Sequence, residues 1–548
     1  MEIPPSAQIA EDWIEALKIN SGTIGGPPMT TYSKLPLTTS RREILKYAGA
    51  AGIASVVGVP GLGTRTALAQ GGDFDEFFVA MWSGMPNLDP EQNTIRTCLI
   101  AQNWLFDPLI WRNNDSNELE PYLAEEYSFV GNNTWRFRIR QGVRFHNGEK
   151  LDAHAVKFSM DRRLSEDVGS PNAKSFSDII ETKVVDEYTV DFVCSSPFPM
   201  LPAYMPTFSI MAPQYYSENS MQHLALNPVG SGPFRLVEFK PDDILRVERN
   251  DDYWGQTPAI KRVTAPIVEE DATRVASLLA GDLHISPRPV MEDFDRINAT
   301  EGTMVSTSIG NRIVVAGLNY DLEPMNDKRV RQALNYAVDT ATLNDVYLRG
   351  TGELLAGLLP STVVGHDPAL EPYPYDPEMA KSLLRDAGYP DGFETTIEVN
   401  PGWLIAGTEV TQALQNFLKQ VGIEAALQIR DAGTLSSRIT SRKAGPIYML
   451  SWGGNSTFDA DSYLEVLLDE GAWSCNTMPE VRELVQAGRA TADQAEREEI
   501  YKQASQIVRE EAPYLFMYLQ PNTYGIATNH NWRARPDEMI PLWHVNRV

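Results

Sequence analysis

Cysteine and catalytic motifs are both scarce in this chain of 548 residues. The three cysteines, Cys98, Cys194 and Cys475, include no CxxC pair and no pair at the spacing of metal ligands. An odd number of cysteines leaves room for one disulfide but not for a disulfide framework. The seven histidines are scattered, and HExxH does not occur. The sequence therefore predicts no metal site and no cofactor.

Positive charge is also in short supply. Lys and Arg number 47 against 73 Asp and Glu, which gives a formal net charge of −26. Nucleic-acid binding needs clustered cations that contact phosphates, so the balance argues against a nucleic-acid partner. It also argues against a basic patch that binds an anionic membrane surface. The hydrophobic fraction of 43% is that of a globular protein large enough for several domains.

The sequence lacks the GxSxG elbow, the phosphate-binding loop and the GxGxxG turn. Asp459 and Asp461 form the one acidic pair that could hold a metal or serve as acid and base in a secreted hydrolase. No histidine lies close to them in sequence, so a turn or a helix cap is the favoured interpretation. We therefore predict that the protein is not an enzyme, with the hydrolase as the alternative.

The N-terminal region carries the parts of an export signal. Arg41 and Arg42 precede an apolar run over 47–62, and Ala67-Leu68-Ala69 supplies the small residues of a cleavage site. The arginine pair resembles a twin-arginine signal, which would engage the twin-arginine export machinery. We predict that residues 1–69 form the signal region, that cleavage follows Ala69, and that the protein is delivered to the periplasm. The acidic stretch before Met29 favours Met29 as the start of translation.

Strand and helix patterns alternate along the rest of the chain. The alternation of large apolar residues with Arg predicts a strand over 134–140, and Gly-containing turns predict another over Val143–His146. Asp152 is a candidate N-cap for a helix that runs to Leu164. One apolar stripe predicts a helix over 327–348, and Asp376-Pro377 predicts a helix start. The sequence indicates a mixed α/β or α+β fold.

The order of short phrases is more specific than any one of them. Segment 120–164 closely resembles the signature of the extracytoplasmic solute-binding proteins of ABC importers, family 5, the dipeptide, oligopeptide and nickel type. Seven further phrases follow that family's order and extend the resemblance over nearly all of residues 74–548; they lie at 88–90, 105–110, 227–239, 247–255, 272–286, 318–339 and 510–518.

The resemblance implies a type II periplasmic-binding-protein fold, a Venus flytrap with a third, inserted lobe. Lobe I should comprise 70–105, 229–312 and 510–548; lobe II, the family's insertion, 106–228; and lobe III, 313–509. The ligand would lie between lobes I and III, whose hinge closes over it.

The implied function is capture of a peptide-like solute and its delivery to an ABC permease with ATPase subunits, by a protein that acts as a monomer. The same role for a sugar, an opine or another non-peptide solute is the alternative. Peptide-binding relatives hold the peptide amine with an Asp, and the matching position here is Asn455; Asp459 could substitute for it. Dipeptide-type members bind the ligand carboxylate with an Arg just before the helix that corresponds to 410–421, where this chain has Asn400-Pro401-Gly402-Trp403 and no Arg. Both charged contacts for a zwitterionic dipeptide are therefore absent from their expected positions.

Large aromatic rings at strand ends are the strongest candidates for the cleft, because they bury ligand area at low entropic cost. Core packing is the alternative for each of them. Asn319 and Tyr320 lie where the chain should cross the hinge into lobe III. The predicted ligand-binding residues are Trp82, Ser83, Asn319, Tyr320, Trp403, Trp452, Gly453, Asn455 and Asp459.

Overall fold

The computed structural model describes residues 73–113, 116–453, 457–469 and 471–548. The chain divides into Met1–Leu68 and Ala69–Val548, and all described residues belong to the second unit. The predicted export signal, the start at Met29 and the candidate ligand residue Asn455 lie outside the described residues.

Seventeen strands are present among the described residues. In chain order they are β1 (Phe77–Phe78), β2 (Ile110–Arg112), β3 (Leu119–Pro121), β4 (Ala124–Phe129), β5 (Thr134–Ile139), β6 (Ile179–Asp186), β7 (Thr189–Cys194), β8 (Phe234–Lys240), β9 (Ile244–Arg249), β10 (Arg262–Pro266), β11 (Ile285–Pro287), β12 (Thr303–Leu318), β13 (Glu353–Leu354), β14 (Phe393–Val399), β15 (Ile423–Ile429), β16 (Ile447–Trp452) and β17 (Tyr514–Ala527).

Fifteen α-helices accompany them in the same part of the chain. They are α1 (Arg96–Leu105), α2 (Ala153–Leu164), α3 (Leu201–Tyr204), α4 (Pro213–Glu218), α5 (Met221–Leu226), α6 (Asp271–Leu279), α7 (Phe294–Ala299), α8 (Lys328–Ala337), α9 (Thr340–Leu348), α10 (Pro377–Asp386), α11 (Gly407–Gln420), α12 (Ala432–Thr440), α13 (Asp461–Leu467), α14 (Pro479–Ala490) and α15 (Gln494–Glu511). Short 3₁₀ turns lie at Ala173–Phe176, Met205–Thr207, Met291–Asp293 and Pro401–Trp403.

A seven-stranded mixed sheet forms the centre of the molecule, in the order β11-β17-β12-β16-β14-β15, with β13 paired to β17. Its two longest strands, β12 and β17, run antiparallel and pair from Thr303 with Ala527 to Gly317 with Tyr514. β14 is parallel to both β15 and β16, as expected where helices connect the strands. This sheet therefore joins the ranges predicted as lobe I to those predicted as lobe III.

Two four-stranded sheets flank this arrangement. One has the order β1-β10-β9-β8, and the other, β4-β5-β7-β6, is antiparallel throughout. The second sheet draws all its strands from 124–194, inside the range predicted for the inserted lobe. The lobe boundaries themselves stay a prediction.

Local sequence signals explain several helix ends. Asp152 accepts a hydrogen bond from His154 N at 2.9 Å and begins α2 as predicted. The predicted single helix over 327–348 is wrong, because Val338 is extended and Asp339 caps a new helix, α9. The predicted strand Val143–His146 is also wrong: the segment makes one isolated bridge, Arg144 with Lys150. The turns on either side leave too few residues for a ladder.

Two buried ion pairs attach α2 to the segment before α1. Arg162 Nη2 lies 2.6 Å from Asp89 Oδ2, and Arg163 Nη2 lies 2.9 Å from Glu91 Oε1. All four side chains are buried. Buried charges are tolerated only when they are paired, so these contacts fix the position of the insertion against the segment that leads into α1.

No helix within the described ranges combines the length and the apolar character needed to cross a membrane. Cys98, Cys194 and Cys475 are all buried and unpaired.

Candidate functional site

A cavity with a volume of about 1060 Å³ lies among the described residues. One wall is formed by the central sheet, through β12, β16 and β17, and the other walls are loops and parts of α9, α11 and α12. Its lining residues fall within the segments 288–292, 312, 346–349, 402–409, 436, 451–452, 473, 520–524 and 538. These segments belong to the ranges predicted for lobes I and III, and no described lining residue comes from 106–228. A concave site of this size fits a small solute.

Three tryptophans form one aromatic wall of the cavity. The rings of Trp403 and Trp473 are 6.1 Å apart between centroids, and those of Trp452 and Trp473 are 6.0 Å apart. Trp452 Nε1 donates a hydrogen bond to Ser462 O at 2.9 Å, which fixes the orientation of this indole. Rigid rings in contact with one another lose little freedom when a ligand packs on them.

Arginine side chains surround one glutamate that lines the cavity. Arg288 Nη2 donates to Glu538 Oε1 at 2.8 Å, and Arg96 Nε lies 3.4 Å from Oε2. Arg312 Nη2 is 3.9 Å from the same Oε2. Arg288, Arg312 and Glu538 line the cavity, whereas Arg96 lies behind Glu538. Burial raises the pKa of Glu538, but attraction by Arg288, Arg96 and Arg312 outweighs it and lowers the pKa to about 2.

A β-bulge places Arg312 in this position. The register of β12 against β17 passes from Ile309 opposite Pro521 to Arg312 opposite Gln520, so Gly310 and Asn311 have no partner across the ladder. A Cβ at Gly310 would lie 3.0 Å from Asn522 Oδ1 and 3.1 Å from Gln520 O, which explains the glycine. Bulges redirect the side chains that follow them and are common beside binding sites.

Arg288 and Glu538 both have left-handed backbone conformations, with φ of +54° and +61°. Non-glycine residues adopt this region at a cost, and such residues concentrate at functional sites. The Glu538 turn is held by Tyr524, whose hydroxyl donates to Glu538 O at 3.4 Å, and by the preceding buried pair of Arg535 and Asp537. The carboxylate is therefore presented from a rigid segment.

Two of the predicted residues line the cavity, and two more, Trp82 and Gly453, lie beside its arginine side chains. Trp403 and Trp452 line it. Trp82 lies under the Arg288 guanidinium, whose Cζ is 4.6 Å from the ring centroid, and Ser83 Oγ is 3.1 Å from Thr97 Oγ1 in the next turn of chain. Gly453 follows Trp452, and a Cβ built on it would lie 3.5 Å from Arg312 Nη2.

Asn319 and Tyr320 are engaged within the protein instead. The buried Asn319 amide donates to Ala444 O at 2.7 Å and accepts from Asp321 N at 3.0 Å. The Tyr320 ring lies 3.9 Å from the Arg331 guanidinium carbon. Neither residue is among those that line the cavity.

Asp459 is also occupied. Arg497 donates to both of its carboxylate oxygens at 2.8 Å, and both side chains are buried. Asp459 Oδ1 accepts from Asp461 N at 3.0 Å at the start of α13, as the predicted turn or helix cap requires. Neither carboxylate lines the cavity, so the geometry lends no support to a hydrolase that uses this pair.

Sequence analysis did not identify four of the cavity residues: Arg288, Arg312, Trp473 and Glu538. Trp473 follows no apolar strand, and the charged three come from separate segments that only long-range strand pairing brings together. The left-handed turn at Glu538 has no glycine to mark it. Across the described residues, no group of three or more His, Cys, Asp or Glu side chains is placed to hold a metal ion.

Known proteins resemble this chain in sequence and in fold. The family model described as "Bacterial extracellular solute-binding proteins, family 5 Middle" matches residues 118–475. The glutathione-binding protein GsiB of Salmonella paratyphi A is 29% identical over 488 residues, with 86% of this chain and 92% of that protein covered. The dipeptide-binding protein of Escherichia coli K12 is 28% identical over 451 residues, with 75% of this chain and 83% of that protein covered.

The structure of the ABC transporter substrate-binding protein CtaP from Listeria monocytogenes superposes with a TM-score of 0.79 at 22% identity. The superposition covers 87% of this chain and 99% of that one. The predicted fold class, a mixed α/β periplasmic-binding-protein fold, is confirmed.

Proposed function

The chain belongs to family 5 of the bacterial extracellular solute-binding proteins, and we propose that it captures a peptide-like solute in the 1060 Å³ cavity and delivers it to the permease of an ABC importer. The observation that carries this proposal is the cavity itself. The cavity contains both an aromatic wall and several guanidinium groups, so one site can hold the apolar and the charged parts of a peptide.

The relatives support a peptide as the ligand. Two of them, which share 28–29% of their residues with this chain over most of their length, are named for glutathione and for dipeptides. Glutathione is itself a small peptide, so both names describe one chemical class.

Capture requires that the ligand contact both sides of the cleft. We propose that lobes I, II and III have the boundaries predicted from the sequence, with the cavity between lobes I and III. A ligand that touches both lobes only when they are closed favours the closed form, and that differential affinity is what a population shift needs. The closed form would then dock on the permease and its ATPase subunits.

We further propose that the protein works in the periplasm as a monomer, without turnover of its ligand. Residues 1–69 would direct export by the twin-arginine machinery, with cleavage after Ala69. The described cavity residues include no nucleophile paired with a base, which favours binding over catalysis.

A thermal-unfolding screen of the purified protein tests the proposal. The panel contains di- to pentapeptides and glutathione, neutral oligosaccharides, and opines. A solute at about 100 times its Kd stabilises the folded state by about 2.7 kcal/mol, so we expect peptides to raise the Tm. A rise with sugars or opines alone would overturn the peptide assignment but keep the binding role. Chromatography of the recovered ligand checks turnover, and cleavage of a bound peptide would contradict the non-enzymatic role.

A further inference from the structure

Arg312 presents an unused set of hydrogen-bond donors to the cavity. Its guanidinium carries five N–H groups, yet no acceptor in the described part of the chain lies within hydrogen-bond distance of them. The nearest carboxylate oxygen, Glu538 Oε2, is 3.9 Å away. The side chain is 33% exposed, and this exposure is toward the cavity that Arg312 lines.

Arg288 has spare donors beside it. One nitrogen, Nη2, donates to Glu538 Oε1 at 2.8 Å, and the guanidinium lies over the Trp82 ring. The side chain is 49% exposed. A planar guanidinium supported on an aromatic face keeps its remaining edge in a fixed direction, which suits bidentate recognition.

The local charge is unbalanced. The guanidinium groups of Arg96, Arg288 and Arg312 face the single carboxylate of Glu538. Asp537, the adjacent acid, is buried and paired with Arg535 at 2.5 Å, so it cannot neutralise them. The positive excess around Glu538, in a chain with a net charge of −26, is a local arrangement and not a consequence of composition.

We propose that Arg312 and Arg288 bind a carboxylate of the solute beside Glu538, and that the protein therefore selects solutes with a free carboxylate. Glu538 would remain bound to Arg96 and Arg288 as a fixed counter-ion. The assignment rests on the proposed function, because it deepens the description of the same cavity. It also supplies a carboxylate contact outside the segment 400–403, where the sequence predicts an arginine in dipeptide-type relatives and this chain has none.

The remaining charges of the cavity fit a solute with two ends. Arg349 also lines the cavity, but both of its terminal nitrogens are held by Asp295, at 2.8 and 3.0 Å. Glu292 and Glu409 line the cavity and are exposed. Arg349 interacts electrostatically with Glu292, and the exposed carboxylates of Glu292 and Glu409 are groups of the cavity that would attract a solute amine.

Titration calorimetry on the full protein with matched peptide pairs tests the carboxylate site. Each pair is a di- or tripeptide with a free C-terminus and the same peptide as its C-terminal amide. We expect at least ten-fold tighter binding of the free acid, and a loss of affinity with added salt for the acid only. Arg312→Gln should remove the preference, weakening the acid at least ten-fold and the amide less than two-fold.

Two further variants complete the design. Arg288→Gln should act in the same direction as Arg312→Gln. Arg329→Gln is the control, because it removes a guanidinium on α8 that is paired with Asp327 at 2.6 Å and does not line the cavity, and it should change neither affinity by more than two-fold. Circular dichroism checks that Arg312→Gln folds. If it does not, the proposal is tested by comparing acid and amide binding in the wild type and in Arg288→Gln.

The outcomes separate this proposal from the proposed function. Equal binding of acid and amide by the wild type overturns the carboxylate site while peptide capture stands. If the wild type binds no peptide, the same comparison is made with sugar acids and opines against their neutral analogues. If the wild type prefers the acid and Arg312→Gln abolishes that preference, the carboxylate site stands and the peptide assignment is overturned. If the wild type shows no preference, both the carboxylate site and the peptide assignment are overturned.

Discussion

At the scale of single residues, Arg497 and Asp459 form a bidentate ion pair. Arg497 Nη1 donates to Asp459 Oδ2 and Nη2 donates to Oδ1, both at 2.8 Å. The same guanidinium donates to Gly488 O at 3.0 Å and to the Tyr501 hydroxyl at 3.2 Å. The carboxylate is therefore fully occupied inside the protein. We expect Asp459 to stabilise the junction of α13 with α14 and α15 and to have no contact with the solute amine.

Replacing Arg497 with Ala should lower the free energy of unfolding by about 3–5 kcal/mol, because it leaves a buried carboxylate without a partner. Solute affinity should stay within two-fold of the wild type. Urea unfolding and calorimetry measure the two quantities. Lys381→Ala is the control, since its exposed pair with Glu378 contributes little. A ten-fold change in affinity for Arg497→Ala at unchanged stability would contradict this assignment.

Asp461 makes stability depend on pH. Burial raises the pKa of its carboxyl from 3.8 to about 7, against the attraction of Arg489 at 3.4 Å. The folded state then keeps a proton that the unfolded chain releases near pH 4, so this contribution to stability is lost as the pH rises from about 4 through 7.

Asp461→Asn should remove that dependence. The stability of the variant relative to the wild type should rise by about 2–3 kcal/mol between pH 5 and pH 8, at about 1.4 kcal/mol per pH unit up to the folded pKa. Urea unfolding at both pH values measures it. Asp295→Asn, at an exposed ion pair, should show no such rise; an identical rise in both variants would point to other groups.

At the scale of elements, α10 is bounded by signals within the chain itself. Asp376 Oδ1 accepts from Met379 N at 2.9 Å, Pro377 occupies the first helical position, and Gly388 follows the helix with φ of +96°. Such signals act over a few residues, so the sequence predicts this helix correctly.

Asp376→Ala should therefore lower the free energy of unfolding by about 1 kcal/mol, because one backbone N–H of the first turn loses its acceptor. Asp376→Asn should stay close to the wild type, since an amide oxygen also caps. Urea unfolding compares the three proteins. An equal loss in both variants would show that the charge of Asp376 matters and its cap does not.

Elements that depend on distant partners were harder to predict. The apolar stripe over 327–348 continues across the break, so the pattern hides the change of direction at Val338 and the cap at Asp339. The bulge before Arg312 exists only in the pairing of β12 with β17, some 200 residues apart in sequence. No local pattern carries that information.

In the candidate site, too, residues marked by a local pattern were predicted and residues placed by distant partners were not. Trp403 and Trp452 were predicted because each follows an apolar strand, and both line the cavity. Glu538 was one of 73 acidic residues with no feature that set it apart. Its role depends on Arg96 and Arg288, which approach it from segments hundreds of residues away.

At the scale of the whole molecule, the central sheet takes strands from the ranges predicted for lobe I and for lobe III. β12 runs from the first range into the second and pairs along its length with β17, whereas the sheet from 124–194 has strands from that segment only. Arg312 and the segment 520–524 lie on these two strands, so the solute would contact the same backbone that joins the lobes. Solute binding and any change in the angle between the proposed lobes would therefore both act on β12.

The tryptophan wall has an optical consequence. Trp403, Trp452 and Trp473 are three of the eleven tryptophans in the chain, and neighbouring rings are separated by 6.0–6.1 Å. Indole emission depends on the polarity around the ring, and rings this close exchange excitation energy. A solute that displaces water from this wall should change both the intensity and the colour of the emission. The unlabelled protein would then serve as a fluorescent sensor for its own ligand.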